Sequence, residues 1–214
     1  MKLSEVFEQL SVGELSQLSL GGAETGGIDP SNYAKVVAHL NLGLTALYTR
    51  FTLKEAELII PLETGVLTYT VQAPDLLKIE RVFDAAGKEW ALNDEANLLA
   101  CRTLTPTTLR IPPEFLAQNG MLRVGYRANH PRVETFRGSI DPEETMLELP
   151  YSHFQALLYF IASRCHNPVG MTNEFHSGNS YYAKYEAECM RLENENLETD
   201  QGGQYNRLRA NGWV

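Results

Sequence analysis

The chain of 214 residues is poor in the residues that carry most protein chemistry. It has three cysteines, Cys101, Cys165 and Cys189, too few and too scattered for a disulfide scaffold, so a reducing compartment is expected. It has five histidines and neither the C-x2-C nor the H-x3-H spacing that zinc favours. Cys165-His166 with His176 downstream therefore reads as a core thiol at a helix end with a solvated or capping histidine. There is no Gly-x-Ser-x-Gly elbow, no phosphate loop and no H-E-x-x-H. Gly21-Gly22 and Gly26-Gly27 precede a helix but lack a preceding strand and a lysine, so they read as a joint. Positive charge is also scarce: 18 Lys and Arg against 27 Asp and Glu give a net charge of −9. That lacks the electrostatic footprint of a nucleic-acid binder, although it allows DNA to pass close by. The start of the chain has Lys2 alone against Glu5, Glu8 and Glu14, which is unlike a signal peptide. The densest apolar run, residues 154–162, is about half the length of a membrane span.

What is present is an ordinary globular composition, 43% hydrophobic, enough for a real core. Apolar residues at helical spacing predict a first helix over 2–19, weakened at Gly13. Asp29-Pro30 opens a second helix over 30–54, as N-cap and first helical residue. At about 1.5 Å per residue it would be roughly 37 Å long and would need partner helices. Strands are predicted at 58–61, 66–71, 76–83, 98–103, 108–111 and 121–127, with turns at Asp84-Ala-Ala-Gly87 and Asn119-Gly120. Prolines at 61, 74, 106, 112 and 113 argue against one broad sheet. Two helices follow, 151–166 stopped by Asn167-Pro168, and 174–198 with Tyr181, Tyr185, Cys189 and Leu192 as a narrow apolar stripe.

The expected fold class is α+β: an antiparallel helix bundle with an inserted small antiparallel β domain and an extended C-terminal arm. The boundaries are 1–54 for the N-terminal helices, 55–149 for the β domain, 150–198 for the C-terminal helices and 199–214 for the arm. The arm carries Asp200 against Arg207 and Arg209, so its charge is opposite in sign to that of the chain. Tyr205, Arg207, Leu208, Arg209 and Trp213 are its candidate anchors, because interfaces favour Trp, Tyr and Arg.

Helix pair, β insertion, helix pair and tail, in that order, resemble the head-to-tail connector (adaptor) proteins of short-tailed bacteriophages. The segment Lys78-Ile-Glu-Arg-Val-Phe-Asp-Ala-Ala-Gly-Lys-Glu-Trp-Ala-Leu-Asn-Asp-Glu-Ala-Asn97, followed by Thr103 to Pro112, is similar to the β region of such virion proteins. The resemblance implies a structural protein without enzymatic activity or cofactor, made in the host cytoplasm and placed at the head-tail junction of the virion. It implies a dodecameric ring below the portal, around the channel through which double-stranded DNA leaves. The arm 199–214 would lock onto the portal protein, and the β domain would face a neighbouring subunit, a tail tube or nozzle protein, or tail fibres. Glu186, Glu193 and Glu195 are candidate channel-lining residues, since carboxylates repel phosphates. Two other readings compete. A carbohydrate- or ligand-binding module would use Trp90, Tyr126 and Phe136 as its platform. A cell-wall-degrading enzyme would use Glu143 or Glu144 in Ser139-Ile-Asp-Pro-Glu-Glu, a sequence that turn chemistry already explains.

Overall fold

The computed structural model describes residues 1–16, 18, 20, 27–135, 140–166 and 172–195. The arm 199–214 lies outside them, as do Phe136 and the Asn167-Pro168 stop. The fold is mixed, with five α-helices and two antiparallel sheets among the described residues.

Helix α1 (Leu3–Val12) buries Leu3, Val6, Phe7 and Leu10, one face at helical spacing. It ends at Val12, seven residues before the predicted end, with Gly13 as its C-cap. A short 3₁₀ turn, Pro30–Asn32, opens the next helix, and Asp29 caps it by accepting from the Ser31 amide at 2.8 Å. Helix α2 (Tyr33–Arg50) ends four residues earlier than predicted. Phe51 turns extended there and drives its ring into the core, which frees the chain to enter a strand. At Gly43, α2 crosses α4 (Phe154–Cys165), where a Cβ would lie 2.8 Å from Leu157 Cδ1 and 3.0 Å from Phe160 Cδ1. Helix α4 packs between α2 and α5 (Thr172–Asn194) and is apolar nearly all round, as a central helix must be. Helix α5 buries Tyr185, Cys189 and Leu192 of the predicted stripe, while Tyr181 is partly buried against the same core.

Between the helices lie β1 (Glu55–Pro61), β2 (Thr68–Thr70), β3 (Leu76–Phe83), β4 (Glu89–Trp90), β5 (Arg102–Thr105), β6 (Thr108–Arg110) and β7 (Met121–Ala128). They form two sheets, β1-β7-β3-β4 and β2-β6-β5. Ile79, Val82, Leu122 and Val124 of the first share one core with Tyr69 and Leu109 of the second. The Asp84 turn closes β3 on β4: its carboxylate accepts from the amides of Ala86 and Lys88, and Gly87 takes φ +83°. Two segments differ from expectation. Residues 94–100 form turns, because Asp94 and Asn97 side chains accept from the amides of Ala96 and Leu99 and compete with a ladder. Pro113 starts a short helix, α3 (Pro113–Gln118), whose first residue needs no amide hydrogen.

Helices and sheets have separate apolar cores, with Val133, Leu147 and Leu149 on the helical side although the expected β domain ran to 149. The start of the chain also joins this stretch: the Leu3 amide donates to Thr145 O, and Leu147 to Met1 O. A polar seam links the two cores. Arg127 at the end of β7 donates to Glu80 and to the Thr49 carbonyl of α2, both at 2.6 Å. His130 Nδ1–H donates to the Pro131 carbonyl, and its Nε2 accepts from the Glu148 amide at 2.9 Å. The Tyr48 hydroxyl donates to the Glu148 carbonyl, and Lys54 pairs with the Glu148 carboxylate at 2.9 Å.

Two outcomes follow from this packing. Gly43→Val should lower stability by about 1–3 kcal/mol through overpacking at the helix crossing, read from denaturant midpoints. The second concerns acid. Burial holds the pKa of His130, His153 and His39 below the ordinary value, so the unfolded chain binds more protons just below pH 6.5. Stability should be full above that pH and fall as pH drops from about 6.5 through the folded values. In urea melts at pH 7.5 and 5.5, His130→Gln should show a smaller drop between the two than the unchanged protein.

Candidate interaction surfaces

Of the three candidate channel-lining carboxylates, Glu186 and Glu193 lie on α5 and Glu195 follows its last residue, and each meets an arginine. Arg50 at the end of α2 reaches α5 with both edges of its guanidinium, Nη1 to Glu186 and Nε to Glu193, each at 2.7 Å. These hydrogen bonds hold the Arg50 pKa above its ordinary value. All three side chains are about a quarter to a third exposed, so the cluster clamps α5 to α2 at the edge of the helical layer. Glu195 pairs with Arg191 at 2.5 Å, and Arg191 also holds Glu188 at 2.7 Å. What α5 presents is therefore a paired ladder in which four carboxylates face two guanidiniums, with an excess of negative charge.

The aromatic platform of the ligand-binding reading is not assembled by the described residues. Trp90 packs edge-on against Phe115, 4.7 Å between ring centres, and donates its indole N–H to Asp84. Tyr126 is buried and donates to Asp75 at 3.1 Å. Glu143, an enzymatic candidate, is exposed and pairs with Lys2 at 3.2 Å, while its amide donates to Asp141 within the turn. The three thiols are buried, and burial pushes each up to about 11, away from the thiolate a nucleophile needs. His166 lies against the Glu14 carbonyl and stacks on Tyr181. Among the described residues no group of three His, Cys, Asp or Glu could hold a metal ion. No described helix is long and apolar enough to cross a membrane.

Sequence reasoning missed the outer face of the four-stranded sheet. Simple alternation puts Ile79, Arg81 and Phe83 on one face. A bulge at Glu80 breaks the register between Ile79 and Arg81, so Ile79 points into the core while Arg81 and Phe83 point out. Phe83 stays buried because Arg81 and Arg123 lie over its ring, at 4.9 and 5.0 Å. Gly125 opposite leaves room: a Cβ there would meet Arg81 Cβ at 3.3 Å. The result is a shallow depression of about 160 Å³ lined by Glu55, Glu57, Glu80, Arg81, Phe83 and Gly125. Ile59 on the same face is 61% exposed. A second exposed apolar site is the loop tip at Leu98, 88% exposed, held by the Asp94 and Asn97 turns.

Replacing Arg50 tests the clamp. Arg50→Ala should cost about 1 kcal/mol at low salt, and less at high salt, since the pairs are partly solvated. Arg50→Lys should recover only part of the loss, because one ammonium cannot serve both carboxylates in a forked geometry. No known protein family and no curated protein sequence matches the chain.

Proposed function

We propose that the protein is a structural head-to-tail adaptor of a phage virion. It would form a closed ring, expected to be dodecameric, below the portal and around the DNA channel. The observation that carries this reading is the order of elements. Chain segments from before and after the β strands share one helical core, and the β strands form a second core between them in sequence. The finer architecture belongs to the same reading: an antiparallel helix bundle as ring body, the β strands as an inserted domain, and residues 199–214 as the portal-docking arm through Tyr205, Arg207, Leu208, Arg209 and Trp213.

Surface chemistry is compatible with a ring subunit. Rings need two different faces that fit each other. Exposed apolar side chains occur on both units, at Ile59, Leu98 and Leu104 of the β unit and at Leu42, Met146, Tyr151 and Met190 on the helical side. Such residues gain free energy when a neighbour covers them. The acidic excess on α5, with Glu186, Glu193 and Glu195, would keep passing double-stranded DNA from sticking without any sequence-specific contact. The β domain would meet a tail tube or nozzle protein, or fibres. The reading includes no catalysis and no cofactor.

Two measurements check it. Native mass spectrometry or class averages of assembled particles should show a closed ring, and a monomer within the virion would overturn the architecture. Deleting 199–214 should abolish attachment to portal rings while leaving the subunit folded; normal attachment would remove the arm's assigned role.

A further inference from the structure

The two sheets turn their inner faces to one core, so their outer faces lie on opposite sides of the β unit. The outer face of β2-β6-β5 carries two arginines. Arg102 of β5 and Arg110 of β6 are direct partners across the ladder, and both are exposed, while Leu109 beside Arg110 is buried in the core. Such partners lie about 4.5–5.5 Å apart between Cα atoms, where like charges repel. Arg81, Arg123 and Arg127 of the other sheet each meet a carboxylate, whereas Arg102 and Arg110 have no ion pair among the described residues. A chain with 27 acidic residues against 18 basic ones thus keeps two adjacent cations unpaired on one face. Leu104, the extra residue of the bulge between Thr103 and Thr105, is 55% exposed on the same strand as Arg102.

The outer face of β1-β7-β3-β4 has the complementary pattern. Leu58 and Ile60 pack on the β core, so Glu55, Glu57 and Ile59 of β1 lie on the outer side. Glu55 forms no ion pair among the described residues, and Glu57 has a single contact, to Arg123 at 3.6 Å. Two residues apart on a strand, their Cα atoms are separated by about 7 Å, close to the spacing of the two arginines. Ile59, the next outward position, is 61% exposed, and the depression over Phe83 adjoins both carboxylates.

We propose that the Arg102–Arg110 face of one copy docks on the Glu55–Glu57 face of the next copy of the same chain. The two guanidiniums meet the two carboxylates, and Leu104 covers Ile59. The core between the two sheets keeps the faces of a single copy apart, so the contact forms between copies. Different faces on opposite sides make a head-to-tail contact, which repeats from copy to copy and closes where the rotation allows. Opposite charge steers the encounter and rejects the two wrong pairings, acid on acid and arginine on arginine. The covered leucine and isoleucine supply apolar burial. The inference rests on the ring reading and names one of its subunit contacts.

Native mass spectrometry and sedimentation of the full chain, over a range of protein and salt concentrations, test this contact. The unchanged chain should self-associate, more weakly as salt rises. Arg102→Glu with Arg110→Glu should weaken association at least about tenfold, and so should Glu55→Lys with Glu57→Lys. An equimolar mixture of the two variants should associate again, because each then offers the other a complementary face; two chains that had merely lost their fold would not recover on mixing. An Arg-reversed chain that forms rings with unchanged affinity would overturn this contact and leave the ring reading standing. A chain that stays monomeric at every concentration would overturn the contact, and a monomer within the virion would overturn the ring reading with it. Duplex DNA is the second probe: binding that Arg reversal abolishes while self-association is unaltered would also overturn the contact, because the arginines would then serve phosphates.

Discussion

Arg127 stands where the two halves of the molecule meet, one side of its guanidinium on Glu80 of β3 and the other on the last turn of α2. The two apolar cores are separate clusters, with Leu77 of β3 packed at the margin of the helical one, and polar groups supply much of the remaining link between helices and strands. Asn129 donates to Thr45, Asn41 exchanges hydrogen bonds with the Val133 backbone, and Tyr48, His130 and Lys54 converge on Glu148. Polar bonds of this kind fix geometry more than they add stability, because each replaces a bond to water. They are also all-or-none in character: a seam with one partner removed leaves a buried donor or acceptor unpaired.

Much of the fold was legible in the sequence. The helical stripes of α2, α4 and α5 are written in apolar spacing, and Asp29-Pro30 and Asp84-to-Gly87 carry their own local chemistry. The strand boundaries of β3 and β7 also follow from pattern, because both lie in the middle of a sheet and are buried. What was illegible depends on tertiary contacts or on side chains competing with backbone. The stop of α2 at Phe51 is set by a ring that finds the core, and the loss of a strand at 98–101 by the Asp94 and Asn97 turns. The bulge at Glu80 has no sequence signature at all, yet it alone decides that Arg81 and Phe83 form an outer face.

The candidate functional residues divide along the same line. Composition located the acidic excess on the late helix, but not that Arg50, more than a hundred residues earlier, would neutralise part of it. The aromatic platform failed because Trp90 and Tyr126 each found a carboxylate inside the β unit, Asp84 and Asp75, where an amphipathic ring is best satisfied. The net charge of −9 thus includes local pairs with small acidic excesses, such as the one at the end of α5.

The central claim is that the seam makes one mechanical body of two cores. Denaturant titration followed by NMR at a buried amide of each core, Leu44 in α2 and Val124 in β7, tests it most directly. The account predicts coincident transitions, and Arg127→Ala should separate them, with Val124 melting first. Separate transitions in the unchanged protein would contradict it.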